Sequence, residues 1–177
     1  MNRRLAEGFS ADITPARRPP VRAVVALGAN LGDRAATLNA ALADLQRLPL
    51  VDQVRASAPV ESVAVKPDGP DAEAPAYLNA VALVTTRLAP SVLLAFLQAI
   101  ETRHGRDRRE RWDDRTLDLD LITYGDVVSN DHVLTLPHPR AAERDFVLVP
   151  WLSIDPDAEI PGAGRVDELL ARLQGSP

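Results

Sequence analysis

The stretch RTLDLDLITYG, residues 115–125, decides how this sequence is read. Leu117, Leu119 and Leu121 alternate with Asp118 and Asp120, the period of a half-buried β-strand. Strand geometry then puts both carboxylates on one face, about 7 Å apart at ~3.4 Å per residue. Strands are depleted in Asp, and two neighbouring carboxylates repel unless one is protonated or a cation sits between them. Hard oxygen ligands favour Mg²⁺, which takes one or two carboxylates and completes its octahedron with substrate phosphates and water. A lone Asp-x-Asp is also what a solvent-exposed strand face looks like, so the pair needs its surroundings to be interpreted.

Those surroundings are basic. Six arginines (Arg103, Arg106, Arg108, Arg109, Arg111 and Arg115) fall within residues 103–115, against four acids. Guanidinium groups match phosphate geometry and keep their charge. An Arg loop followed by Trp112, Arg115 and Asp-x-Asp holds the parts of a phosphoryl-transfer site, where positioning and charge neutralisation do most of the catalysis. No G-x-x-x-x-G-K-[ST] loop competes with it, and Lys66 is the only lysine in the chain. Nucleotide phosphates would be held by metal and arginine, without a glycine cradle.

Outward from this strand the chain falls into order. Residues 21–27 read as a buried strand, GANLGDR (28–34) as a turn, and 34–48 as a helix capped by Asp33 with a stripe of Leu38, Leu42, Leu45 and Leu48. A second strand is predicted at 50–58, then a long loop over 61–76, rich in proline and acids. A third strand follows at 77–86, then a helix at 90–104 that starts on Pro90 and stops at Gly105. After the fourth strand, 116–124, short strands are predicted at 127–129 and 133–136, and helices near 140–145, 147–153 and 166–174. The order β-α-β-β-α-β is the split arrangement of ferredoxin-like folds. The predicted class is therefore α+β, with an antiparallel sheet plus a C-terminal hairpin and helices.

At 177 residues, 46% hydrophobic and 25% charged, the chain is long enough for one well-filled domain. Residues 1–20, ending in Pro19-Pro20, read as a flexible leader, and 21–177 as the single domain. No cysteine is present, which fits a reducing compartment, and the expectation is a cytoplasmic monomer. No apolar run approaches a membrane span, and a net charge of −5 argues against a nucleic-acid partner.

GANLGDR, APAYLNAVALV, RTLDLDLI and LPHPRAAERDFVLVPWLSIDP together resemble the 6-hydroxymethyl-7,8-dihydropterin pyrophosphokinase family of folate biosynthesis, over about residues 22–160. The resemblance implies a diphosphotransferase that moves pyrophosphate from ATP to the hydroxymethyl group of a reduced pterin, leaving AMP. It makes Asp118 and Asp120 the ligands of two Mg²⁺ ions, one bridging the α- and β-phosphates, the other bridging β and γ and touching the pterin hydroxyl. Arg106 and Arg115 would meet the transferred phosphates, and Arg111 and Trp112 would close over the site. His138 and Arg144 would contact phosphate and substrate, and Gln98 and Glu101 the nucleotide. Leu121 and Leu134 would flank the adenine. On the pterin side the resemblance places Tyr77, Phe146 and Trp112 around the ring, Asn79 at its edge, and Ser57 and Val60 in a segment that offers backbone contacts.

Two features depart from the family pattern. Asp113 and Asp114 stand between Trp112 and Arg115, and the 61–76 segment is longer than the common form. They are the only support for an alternative, a catalytically weak ferredoxin-like module that binds pterin or nucleotide.

Overall fold

The computed structural model describes residues 18–66, 69–71, 74–105 and 116–175. The leader expected over 1–20 lies outside them except for its last three positions. Val21–Ala29 forms β1 and Arg34–Gln46 forms α1, followed by β2 (Val51–Ala56) and β3 (Val60–Ser62). A hairpin, β4 (Ala64–Lys66) and β5 (Gly69–Asp71), precedes β6 (Tyr77–Thr86), α2 (Pro90–Arg103) and β7 (Asp118–Tyr124). The rest is β8 (Ser129–Asn130), β9 (Thr135–Leu136), a 3₁₀ turn at Ala141–Glu143, α3 (Asp145–Ile154), β10 (Glu159–Ile160), β11 (Gly164–Arg165) and α4 (Val166–Gly175).

The main sheet runs β2-β6-β1-β7, all antiparallel, and β3 pairs with the Tyr77–Asn79 end of β6 beyond β2. With α1 between β1 and β2, and α2 between β6 and β7, this is the expected ferredoxin-like core. The central strands β1 and β6 are apolar on both faces because both faces are covered. On one, α1 and α2 bury Leu38, Leu45, Leu93, Leu97 and Ile100 against Val25, Leu27, Ala82 and Leu119. On the other, α3 and α4 bury Val147, Leu148, Trp151 and Val166 against Val24, Val81, Leu83 and Ile122.

Local chemistry sets the boundaries. Asp33 Oδ1 accepts the Ala36 N–H at 2.9 Å and starts α1. The helix ends at Gln46, two residues short of the expected 48, and Leu50 at φ +60° turns the chain into β2. Gly125 closes β7 into the next hairpin at φ +50°; a Cβ there would stand 2.9 Å from Val21 Cγ1. The 61–76 stretch differs from the loop expected: its backbone is tied into β3 and the β4–β5 hairpin, and the strand-forming Val60 and Val65 stand in β3 and β4 ahead of its prolines. Among the described residues no helix is long and apolar enough to cross a membrane.

Leu97 is fully buried between α2 and the sheet. Leu97→Ala is expected to cost about 3 kcal/mol of unfolding free energy, read in urea denaturation as a lower midpoint at unchanged slope.

Candidate functional site

Residues paired directly across a sheet share a face, so the register assembles the site. Val81 and Leu83 of β6 lie in the α3–α4 core, and two-residue alternation puts Asn79 and Tyr77 on that same face. Val60 pairs with Asn79 and Ser62 with Tyr77. Asn79 pairs with Gly28, and Gly28 with Asp118; one step on, Ala26 pairs with Asp120. One surface thus carries an amide, a bare glycine and two carboxylates in sequence across three strands. Gly28 is there for space: a Cβ would lie 3.2 Å from Asn79 Oδ1 and 3.6 Å from Tyr77 Cδ1. Asn79 is buried, and its Nδ2 donates to Ser62 Oγ at 2.8 Å.

The turn before α3 brings the cationic groups. Arg144 Nη1 donates to Asp120 Oδ2 at 2.9 Å, and the guanidinium stands 5.7 Å from the centre of the Phe146 ring. His138 Nε2 is 3.9 Å from the same carboxylate oxygen. Burial pushes the His138 imidazole below its usual pKa, with Asp120 opposing the shift. Its Nδ1 accepts the Arg140 N–H at 3.2 Å, which leaves the proton of the neutral ring on Nε2, facing Asp120. His138 N–H donates to Ile122 O at 2.8 Å, docking this turn along the outer edge of β7.

Helix α2 meets that edge from the other side. Glu101, expected beside Gln98 at the nucleotide, is instead in the interior at 1% exposure, and its Oε1 accepts the Leu119 N–H at 2.8 Å. A separation of three residues leaves two side chains about 60° apart around a helix, enough to put Gln98 in solvent and Glu101 in the core. A cleft of about 220 Å³ next to Asp120 is walled by Leu94, Leu119, Leu121, Val133, Leu134 and Thr135, with His138 at its end. It brings together Leu121 and Leu134, the expected adenine neighbours.

Arg106, Arg111, Trp112 and Arg115 lie outside the described residues. Ser57 is placed but committed elsewhere: it is buried, and its Oγ accepts the Val81 N–H at 3.0 Å. Three residues that the sequence reading passed over belong to the assembly. Gly28 could have been found by asking which strand position would face both Asn79 and Asp118. Ser62 was concealed by the loop assignment, and Thr135 carries no motif at all.

The donor set suits a hard divalent cation. Asp118 and Asp120 share a face one pleat apart, and two carboxylates leave most of an octahedral shell to phosphate and water, as Mg²⁺ prefers.

The family model for 7,8-dihydro-6-hydroxymethylpterin-pyrophosphokinase matches residues 24–156. A 2-amino-4-hydroxy-6-hydroxymethyldihydropteridine pyrophosphokinase of Haemophilus influenzae is 40% identical over 153 residues, 86% of this chain and 93% of the relative. Proteins of the same name are 41% identical in Pseudomonas aeruginosa, over 85% of this chain and 90% of theirs, and 42% identical in Mycobacterium leprae, over 86% and 83%. Among solved structures, wild-type Plasmodium falciparum HPPK-DHPS matches with a TM-score of 0.65 at 11% identity, over 89% of this chain and 42% of that one. The present chain therefore spans less than half of that protein, and the likeness concerns the fold.

Gly28→Ala is expected to displace the Asn79 amide while the sheet holds. The Asn79 side-chain amide resonances shift, and the melting midpoint falls by about 3 °C or less.

Proposed function

Since the chain belongs to the 7,8-dihydro-6-hydroxymethylpterin-pyrophosphokinase family, we propose how its residues divide the work of that reaction. The enzyme transfers pyrophosphate from ATP, its co-substrate, to 6-hydroxymethyl-7,8-dihydropterin in folate biosynthesis. The observation that carries the division is the row Asn79–Gly28–Asp118. Two strand spacings make it roughly 9–10 Å across, the span of a flat bicyclic ring with a short substituent. A pterin lying over Gly28 has its amide-like edge at Asn79 and its hydroxymethyl group toward Asp118. Tyr77, Phe146 and Trp112 supply ring contacts, and Val60 with the Ser57 segment closes the outer side.

On the other half, Asp118 and Asp120 would hold two Mg²⁺ ions, which would supply neutralisation of phosphate charge and a more acidic pterin hydroxyl. Arg144 balances the Asp120 charge and can offer its remaining N–H groups to a phosphate oxygen. Neutral His138 donates from Nε2 beside it, which orients phosphate without adding a charge. Arg106 and Arg115 meet the transferred group, and Arg111 with Trp112 excludes water above it. The adenine occupies the cleft between Leu121 and Leu134, with Gln98 reaching it from the exposed side of α2. Glu101 serves from beneath by fixing the backbone of β7.

Residues 21–177 act as one domain, because the α3–α4 core and the α1–α2 core share the same sheet. With both faces covered from within the chain, we take the enzyme to work as a cytoplasmic monomer, in keeping with a sequence free of cysteine.

Asp118→Asn and Asp120→Asn should each lower turnover on the order of a hundredfold to a thousandfold with an unchanged circular dichroism spectrum. The assay is AMP release from ATP in the presence of the pterin alcohol; release of ADP would refute pyrophosphoryl transfer, and unchanged turnover in either variant would refute the division of labour. Chelation with EDTA should abolish AMP release, and added Mg²⁺ should restore it.

A further inference from the structure

Arg34 is a cation in the first turn of α1, where the helix dipole disfavours one, and no acidic residue accompanies it in that turn. Its fork is occupied elsewhere. Nη1 donates to the Ala76 carbonyl at 2.7 Å and Nη2 to Glu61 Oε1 at 2.8 Å. Ala76 immediately precedes Tyr77, and Glu61 sits between Val60 and Ser62. Glu61 pairs with Leu78, whose side chain packs into the α1–α2 core, so it lies on the reverse of the surface that carries Val60, Ser62, Tyr77 and Asn79. One guanidinium therefore grips, from behind, the two strand segments whose front forms the pterin half of the site. The 62–75 segment leaves at Glu61 and returns at Ala76, so the same fork ties its two feet together.

We infer that Arg34 is a positioning residue for the pterin site: it sets β3 against the start of β6, and with it the Ser62–Asn79 hydrogen bond. This rests on the assignment of the pterin to that face. The ion pair alone contributes little, because Glu61 is 64% exposed. What matters is a rigid, two-pronged donor that holds two segments at once, which a lysine ammonium does not reproduce.

The test is steady-state kinetics on the full-length enzyme with Arg34→Ala, Arg34→Lys and Glu61→Gln. Arg34→Ala should raise the KM for the pterin alcohol about tenfold while kcat and the KM for ATP stay within about twofold. Arg34→Lys should fall between it and the wild type. Glu61→Gln, which keeps an acceptor, should remain close to wild type. Amide exchange provides a readout that needs no turnover: in Arg34→Ala, Ser62 and Tyr77 should exchange faster while Leu27 and Leu119 do not change. Should Arg34→Ala fail to fold, Arg34→Lys decides by the same two measurements. A parallel rise in both KM values, an unchanged pterin KM, or faster exchange throughout the sheet would overturn the inference. A wild-type protein that releases no AMP with the pterin would sink the site assignment instead, and the exchange pattern would still decide the clamp.

Discussion

The outer edge of β7 is the constraint on which the site depends. As the last strand of the sheet, β7 has one row of backbone groups with no strand to pair with, which in most proteins is blunted or hidden. Here two side elements claim it. Glu101 reaches from α2 to the Leu119 N–H, and His138 N–H reaches Ile122 O from the turn after β9. A buried carboxylate is costly unless hydrogen-bonded, and spending one on the amide between Asp118 and Asp120 fixes the pitch of both. The two acids are thereby aimed by packing before any ligand arrives. Arg144 and His138 come with the same turn, so the strand's edge and its counter-charges are set by one contact.

Much of this was legible in the sequence. The long strands and both core helices announced themselves through uninterrupted apolar runs, Leu stripes, Asp33 and Pro90. Asp118 and Asp120 stood out because alternation with leucine leaves a carboxylate pair nowhere to hide. Other parts were masked by competing signals. Proline and acid content in 61–76 outweighed the valine alternation, which concealed β3 and with it Ser62. Glu101 was expected with Gln98 at the nucleotide because the two are three apart on one helix; only the strand it caps, distant in sequence, explains its burial. The break in alternation at Leu121-Ile122 was visible, and its meaning is structural. Ile122 continues the alternation of Asp118 and Asp120 into the α3–α4 core, and because it is the extra residue where the β1–β7 register shifts, Tyr124 returns to the α1–α2 core.

Electrostatically the molecule works by local contrast. The whole chain is acidic, yet the turn before α3 sets an arginine and a neutral histidine beside Asp120. Keeping His138 uncharged by burial avoids a second fixed cation beside Arg144 and preserves a directional donor instead.

Gly28 has a consequence for synthetic ligands as well as for substrates. It is the seam between two zones, the strand that carries Tyr77 and Asn79 and the strand that carries Asp118 and Asp120, and the glycine itself adds no side chain there. A bisubstrate inhibitor with a slim linker laid over the glycine could join both zones in a single molecule, and tethering would raise the effective concentration of each half for its own zone. The shortest admissible tether is set by the sheet's interstrand spacing, a dimension that the backbone keeps constant.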